Sequence, residues 1–445
     1  MKILLISPKG IFFSNSDKFK EFINSSAKFK DYLSVFSGIN PGLATLAALT
    51  PEKMSVKIVD ENIESISFDE ECDIVGISAM TQQATRAYEI ADTFRLKNKT
   101  VILGGIHASV LPEEAKQHAD SVVIGEAEYI WANLLHDFKN GNLQPFYKNT
   151  SEVSLSDSPL PKYELLCKKY ETIWIQTSRG CPHDCEFCAA TKIFGKKYRR
   201  KTIKQVLTEI QYILDVYGKN ISISFSDDNF FVNKKYAIQL MKELENINIR
   251  WHAQSDIKIA ESDELLKLIY NSGCTFLLIG LESVSSNSLK GIDKNNWKLK
   301  QFSNYSDAIQ KIQKNGIGVQ GAFIIGHDTD EKDIFLKTSN FIKDNFLYES
   351  QITIITPLPG TRLRDRLIKE NRILNTDWSN YTFIDVNFIH PNMSKDELEN
   401  GLLSIYRSIH SEEFYNKKMI YFKNIQKNLF KKLGYKYLNK VNGIG

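Results

Sequence analysis

Ser178-Arg179-Gly180-Cys181-Pro182-His183-Asp184-Cys185-Glu186-Phe187-Cys188 places three cysteines within a few residues of one another. A cubane iron–sulfur cluster has four irons to ligate, so the thiolates of Cys181, Cys185 and Cys188, with no obvious fourth, leave one iron open for another ligand. The alternatives are a zinc site or three unrelated thiols. Zinc usually shows a paired Cys-x2-Cys arrangement with a further Cys or His at matching spacing. His183, inside the segment, is crowded by its neighbours.

On both sides of this segment, apolar β-branched runs alternate with helical patterns. Upstream, strands are expected at Ile3–Ile6, Val56–Val59, Ile74–Ser78, Val101–Leu103 and Ser121–Ile124, with helices at Ala84–Lys97 and Glu126–Phe138. Five strands with crossover helices describe a doubly wound parallel sheet, whose ligands bind at the strand carboxyl ends. Those ends carry Ser78-Ala79-Met80-Thr81-Gln82, Gly104-Gly105-Ile106-His107 and Gly125-Glu126. Glycines there let a backbone approach a bulky ligand. Downstream, six strands are expected near Ile173–Thr177, Ile221–Phe225, Ile249–Gln254, Phe276–Leu281, Gly318–Ile325 and Ile352–Thr356. The helices between them fall at Ile203–Tyr217, Lys234–Leu244, Asp263–Ser272, Phe302–Lys314 and Glu331–Asp344.

The Cys-x3-Cys-x2-Cys spacing with Phe187 before the last cysteine resembles the signature of the radical S-adenosylmethionine (SAM) enzymes. The resemblance implies a 4Fe-4S cluster whose open iron is chelated by SAM, and reductive cleavage of SAM to a 5′-deoxyadenosyl radical. Phe187 is then the aromatic residue near the adenine. Six repeats suit that family's partial (β/α)6 TIM barrel. In the same frame, Asp227 or Asp228 after the second barrel strand meets the methionyl amino group, a cation that a carboxylate suits. Glu282 accepts from the ribose hydroxyls, Thr356 opens the segment beside the adenine, and Gln254 with Ser255 faces SAM or substrate.

The run Gly104–Ala115 followed by Val123–Glu128 resembles the cobalamin (B12)-binding domain that precedes the barrel in one radical SAM subgroup. It implies cobalamin contacts among Ser78, Met80, Thr81, Gln82, Gly104, Gly105, His107, Gly125 and Glu126, with His107 either at the ligand tail or bonded to backbone. Cobalamin domains of the mutase type carry Asp-x-His-x-x-Gly after the first strand. Ser7-Pro8-Lys9-Gly10-Ile11-Phe12-Phe13 has no histidine, which argues against His ligation of the lower face. The alternative is a domain that keeps this fold for packing or substrate binding.

The expected fold class is α/β: a doubly wound, flavodoxin/Rossmann-like cobalamin-binding domain (1–145), a linker (146–170), a radical SAM partial barrel (171–370) and a small, mainly helical C-terminal region (371–445). The chain has 445 residues and a formal net charge of +4. No apolar run has transmembrane length, the N-terminus enters a strand too soon for a secretory signal, and the scattered Cys72, Cys167 and Cys274 make no disulfide framework. These features place it in the cytoplasm. Lys196, Lys197, Arg199, Arg200 and Lys201 read as a solvated lead-in, or as a surface for the SAM carboxylate, an anionic substrate or an electron donor's acidic face. Beyond Tyr415 there are eight lysines, no acidic residue and an apolar stripe at Phe422, Ile425, Leu429 and Leu433. Such a helix packs on its own protein or makes peripheral contact with an anionic membrane.

The function this implies is a cobalamin-dependent radical SAM methyltransferase acting at an unactivated carbon of an unknown organic substrate. Its partner would be a reductase, flavodoxin or ferredoxin supplying electrons. Non-methylating radical chemistry (cyclisation, rearrangement or oxidation) and a non-catalytic iron–sulfur electron-transfer or binding protein are the alternatives. Nucleic acid is not expected, because RNA methylthiotransferases need further N-terminal cluster cysteines that Cys72 alone cannot supply.

Overall fold

The computed structural model describes residues 1–10, 14–25 and 41–433, with the side chains of 430–433 left out. Ile11, Phe12 and Phe13, and the side chain of Leu433, fall outside the described set.

The first half of the chain is one parallel sheet of six strands in the order β2-β1-β3-β4-β5-β6. Its strands are β1 (Lys2–Ser7), β2 (Ser55–Asp60), β3 (Ile74–Ser78), β4 (Thr100–Gly104), β5 (Ser121–Ile124) and β6 (Phe146–Lys148). Their nearly continuous apolar runs follow from burial on both faces. Ile3 and Leu5 join the core that holds Ala44, Trp131 and Leu134, while Leu4 and Ile6 join the core that holds Ala87, Ile90 and Phe94. Each such side chain contributes about 1.5–3 kcal/mol by leaving water. The order reverses between β1 and β3, which makes the crevice beside their carboxyl ends the natural ligand site.

Two expectations change here. Five strands were expected and six are present: β6 lies in the stretch read as linker, pairing with β5. Its three residues are too few to show a period, and it is fixed by Tyr147, which is buried and donates to Asp137 at 2.7 Å. The helix expected from Glu126 starts at Trp131. Gly125 takes φ +81°, and the carboxylate of Glu126 is drawn toward two arginines of the second half.

The second sheet runs β14-β13-β12-β11-β10-β7, all parallel and in chain order, with outer edges at β7 and β14 that do not close on each other. Its strands are β7 (Thr172–Ile175), β10 (Ser222–Phe225), β11 (Arg250–Ser255), β12 (Cys274–Glu282), β13 (Gly318–Ile325) and β14 (Glu349–Ile354). All six expected strands are therefore present. Between β7 and β10 lies a small antiparallel ribbon, β8 (Ser178–Arg179) with β9 (Arg199–Arg200). Local caps fix the helix starts. Thr202 forms a capping box with Gln205 ahead of Ile203–Tyr217, Asn233 caps Lys234–Leu244, and Ser262 caps Asp263–Asn271. Each is worth about 1 kcal/mol.

After β14, helices form at Arg362–Lys369, at Lys395–Ile409, capped by Ser394 with Glu397, and at Glu412–Leu433. Between the first two, a strap with a single 3-10 turn at Trp378–Asn380, closed by an Ile373–Phe388 bridge, crosses back to the first sheet. On the last helix Ile425 and Leu429 are buried with Tyr270, Tyr421 and Phe422, and Tyr421 stacks on Phe346 at 4.7 Å. Lys418 pairs with Glu349 of β14. The amphipathic stripe thus packs against the barrel, with Ile420 exposed.

Candidate active site

The β8–β9 ribbon brackets the three cysteines. Gly180 sits where the chain leaves it, at φ +97°, and a Cβ there would lie 2.2 Å from the carbonyl oxygen of Lys197. Only glycine fits this crossing. Backbone bonds pin the loop to the barrel rim: Glu186 N–H donates to Ile292 at 2.9 Å and Leu363 N–H donates to Glu186 at 3.2 Å. Arg362 donates to the Asp184 carbonyl at 2.6 Å. Burial pushes all three thiols up, Cys188 to about 11, partly offset by the His183 N–H on Cys181 and the Ala190 N–H on Cys188. Among the described residues no three His, Cys, Asp or Glu side chains converge as they would on a single metal ion. Gly180→Ala is expected to displace the loop and cost about 2 kcal/mol or more. Faster proteolysis within 180–198 would register it, and an unchanged cleavage rate would contradict it.

The two aspartates after β10 divide their work. Asp227 is fully buried and accepts from the N–H of Thr177 at 2.7 Å, the N–H of Ser178 at 2.6 Å and the Thr177 hydroxyl. It supports the entry to the cysteine loop and has no face open to SAM, which removes it from the two alternatives for the methionyl amino group. Asp228 has a buried Oδ2 with no hydrogen-bond partner among the described residues, receives the Gly180 N–H, and lies near Cys181 and Cys188. A buried carboxylate oxygen left unpaired is costly, so this one is suited to a cationic ligand.

Burial, opposed by its hydrogen bonds, moves the Asp227 carboxyl up from 3.8 to about 6. The folded state therefore holds this proton more tightly than the unfolded chain. Its stabilisation is full below pH 3.8 and is lost as the pH rises through about 6. Asp227→Asn should flatten that slope between pH 4 and 7 in the opening free energy of the Thr177 and Ser178 amides, measured by hydrogen exchange. A slope that persists in the variant would assign it elsewhere.

At the end of β12 a register shift between Gly280 and Glu282, with Glu282 at φ +65°, turns this carboxylate onto Lys298 at 2.7 Å. Lys298 also donates to the Gly280 carbonyl at 2.9 Å. A Cβ at residue 280 would meet both charged groups, so the glycine makes room for the pair. Glu282, Phe187, Gln254 and Thr356 all line one cavity of about 330 Å³ at the barrel mouth. Four separately predicted residues are thereby brought together. The basic run is engaged within the chain: Lys196 with Asp184, Lys197 with Glu152, Arg199 with Glu126, Lys201 with Glu209, and Arg200 over the Tyr236 ring at 4.5 Å.

On the first sheet, Ser78, Met80, Gln82, Gly104 and Gly105 sit at the carboxyl edge, with Met80 40 % exposed and Thr81 buried. Gly105 has φ +87°, and a Cβ there would strike the Ala79 nitrogen and the Ser78 hydroxyl at 2.8 Å. Gly125 donates its N–H to Ser109. Gln83, which the sequence reading passed over, ties this edge together by donating to the Pro8 carbonyl at 2.6 Å and accepting from Met80 N–H at 2.9 Å. His107 is buried in a cluster where Glu114 Oε1 meets its Nε2 at 3.2 Å and accepts from Trp378 Nε1 at 2.7 Å. That packing ties it to the strap, while Nδ1 has no partner among the described residues. Glu126 and Glu128 bind Arg179, and Glu126 also binds Arg199. Glu126 is thus a clamp between the halves, which corrects its reading as a cobalamin contact.

The clamp and the strap bring the two strand-end edges face to face. Gly360, after β14, approaches both Val110 of the first half and Lys192 of the cysteine loop. Lys298 and Gln351 were also missed by the sequence reading. Lys298 has no local signal, but Gln351 and Thr353 alternate with Ile352 and Ile354, the period-two mark of inward polar positions.

Comparison with known families matches the Radical SAM superfamily over residues 175–342 and the B12 binding domain over 34–135. Bacteriochlorophyllide d C-8(2)-methyltransferase of Chlorobaculum tepidum is 33 % identical over 384 residues, covering 83 % of each chain. The chain belongs to the family of radical SAM enzymes with a B12-binding domain. Another relative in this radical SAM family, bacteriochlorophyllide d C-12(1)-methyltransferase of the same organism, is 29 % identical over 85 % of this chain and 84 % of its own. Hopanoid C-2 methylase of Rhodopseudomonas palustris is 30 % identical over 76 % of this chain and 65 % of its own. The fold is shared with the radical SAM methyltransferase TsrM of Kitasatospora setae, solved with cobalamin and a [4Fe-4S] cluster, at a TM-score of 0.66 and 12 % identity over 92 % of this chain and 89 % of that one. As a member of this family of radical SAM enzymes the chain is an enzyme with a domain for SAM and a domain for cobalamin. Among its described residues no helix is long and apolar enough to cross a membrane.

Proposed function

We propose that this chain is a cobalamin-dependent methyltransferase that installs a methyl group at an unactivated carbon, with a 4Fe-4S cluster held by Cys181, Cys185 and Cys188. The observation that carries the proposal is the facing of the two strand-end edges, clamped through Arg179 and Arg199 to Glu126 and Glu128. Radical formation and methyl donation must reach the same carbon, and proximity of this kind accounts for much of the rate such an enzyme needs. The residues present fit a cluster in two ways: amide N–H groups already point at Cys181 and Cys188, and an orphaned carboxylate oxygen of Asp228 lies beside the thiols. Thiols spread over separate irons need not converge on one point, unlike ligands of a single ion. When bound, the cluster with SAM supplies a primary carbon radical and cobalamin supplies a transferable methyl group.

The chain's own residues orient and shield. Asp228 holds the methionyl amino group, Glu282 accepts from the ribose while Lys298 offsets its charge, and Phe187 packs on the adenine near Thr356. Ser78 and Met80 would border the cobalamin, on an edge whose close internal packing Gly105 permits. A flavodoxin- or ferredoxin-type donor delivers the electrons. The test is protein purified without oxygen from cells supplied with hydroxocobalamin, assayed for iron, sulfide and cobalamin and then turned over with reductant and methyl-labelled SAM. Near-stoichiometric cobalamin, with both 5′-deoxyadenosine and S-adenosylhomocysteine formed, is expected. A filled cluster with no cobalamin would overturn methyl transfer in favour of non-methylating radical chemistry.

A further inference from the structure

The cavity that Glu282 and Phe187 border extends along the inner faces of β11, β13 and β14, where Gln254, Ala322, Gln351 and Thr353 line it. Part of its space follows from Ala322, whose small side chain stands in register with Gln351 on one side and, on the other, with Gly280, where the Glu282–Lys298 pair fills the glycine's place. Glu282, Phe187 and Thr356 mark its SAM end. That leaves the Gln254, Ala322 and Gln351 end of a cavity of about 330 Å³, itself at the lower end of small-ligand sites, for one arm of a substrate. Of the lining residues only Glu282 is ionisable, and its charge is taken by buried Lys298. The rest is aromatic or aliphatic apart from Thr353 and Thr356, whose hydroxyls donate to the Phe323 and Ile354 carbonyls, and two carboxamides.

Gln254 and Gln351 reach the cavity from β11 and β14, and among the described residues neither carboxamide is engaged in a hydrogen bond. Each offers a donor pair and an acceptor at no cost in charge. Over the same cavity lies Phe383 of the strap, half-exposed and held at φ +68°, with its carbonyl accepting from Ile354 N–H at 2.7 Å. A bulky residue in the left-handed region is strained, and such strain persists where the surroundings enforce it. Here the strap fixes an aromatic ring at the edge of the cavity rather than letting it collapse inward.

The geometry points to a substrate whose reacting part is uncharged and apolar and carries a neutral hydrogen-bonding group, a carbonyl or lactam, read by Gln254 and Gln351. This rests on the radical SAM reading of the same site. An anionic or cationic group has no counter-charge in the cavity and would have to stay outside it, since burying an unpaired charge costs more than such a site returns. A substrate larger than the cavity would insert one arm past Phe383 and leave its polar remainder at the rim.

The test uses the holoenzyme with S-adenosylhomocysteine added, and two dyes of similar size: prodan, an uncharged naphthyl ketone, and the anionic 1-anilinonaphthalene-8-sulfonate. Prodan is expected to bind at one site with a blue-shifted emission, without competition from the sulfonate. Ala322→Leu, which fills the space, should weaken prodan about tenfold or more, and Gln351→Leu about threefold to tenfold. Prodan bound equally by both variants, or displaced by equimolar sulfonate, would overturn the assignment. Because Ala322→Leu could disturb the barrel, Gln351→Leu, nearly equal in volume, provides the second reading. Wild-type protein that forms 5′-deoxyadenosine but fails the dye test refutes the substrate class alone. Wild-type protein with a filled cluster that forms none refutes the reading beneath it.

Discussion

Protein carrying Cys185→Ala is expected to lose its iron and to form no 5′-deoxyadenosine above background. Cys185 is half-buried at the centre of the loop, near Glu282 and Lys298, between the other two thiols of the segment. Outer groups around a metal already change affinity by about 10–100-fold when removed, and a direct ligand should exceed that range. Cys274→Ala is the control. Cys274 is buried in β12 and its thiol donates to the Phe276 carbonyl. Its loss should cost about 1–2 kcal/mol of stability and leave iron binding intact. Iron and sulfide analysis of the two proteins side by side decides the matter. Iron retained by Cys185→Ala would remove the cluster from this loop.

Arg179→Met should have the largest effect on stability. Arg179 is buried between Glu126 and Glu128, and it forms part of the ribbon that opens the cysteine loop. Taking it away leaves Glu128 without its partner and Glu126 with Arg199 alone, a loss of about 3–5 kcal/mol for a broken buried pair. The damage should be local to the junction. Hydrogen exchange at Ser178 and Gly180, and proteolysis between 149 and 171, should both accelerate, while the β12 and β13 amides stay protected. Replacing Glu126 and Glu128 by glutamine in the same protein should recover part of the loss, since the stranded charges are then gone. Equal protection at Ser178 in variant and parent would show that the strap holds the halves without the clamp.

The legible parts of this chain are those set by local physics. The apolar runs gave all the strands of the two large sheets but β6, because two buried faces demand continuous hydrophobic residues; the two-residue β8 and β9 of the ribbon carry no such run. The helix Ile203–Tyr217 followed from its helical pattern, and the Thr202–Gln205 box that starts it, like the Ser394–Glu397 box of Lys395–Ile409, is a bond pattern complete within four residues. The cysteine spacing and Phe187 were visible for the same reason, and so were the carboxylates behind β10 and β12, as polar breaks at strand ends.

Other features depend on partners far apart in the chain. Nothing near Asp227 distinguishes it from Asp228; only the fold aims one at the Thr177 and Ser178 amides and leaves the other with a free oxygen. Glu126 reads as a binding-edge carboxylate until Arg179 and Arg199 arrive from the barrel. The basic run looks available to a ligand until each of its members finds a partner within the chain. The strap carries no periodicity, yet Trp378 and Phe383 place it on both Glu114 and the cavity at the barrel mouth. By itself the sequence determined two α/β halves, the close set of three thiols and the polar strand-end edges, because periodicity and spacing are short-range. The tertiary structure decided which charges are spent on holding the halves together and which remain for chemistry, because the energy of a buried charge depends on the partner that packing brings to it.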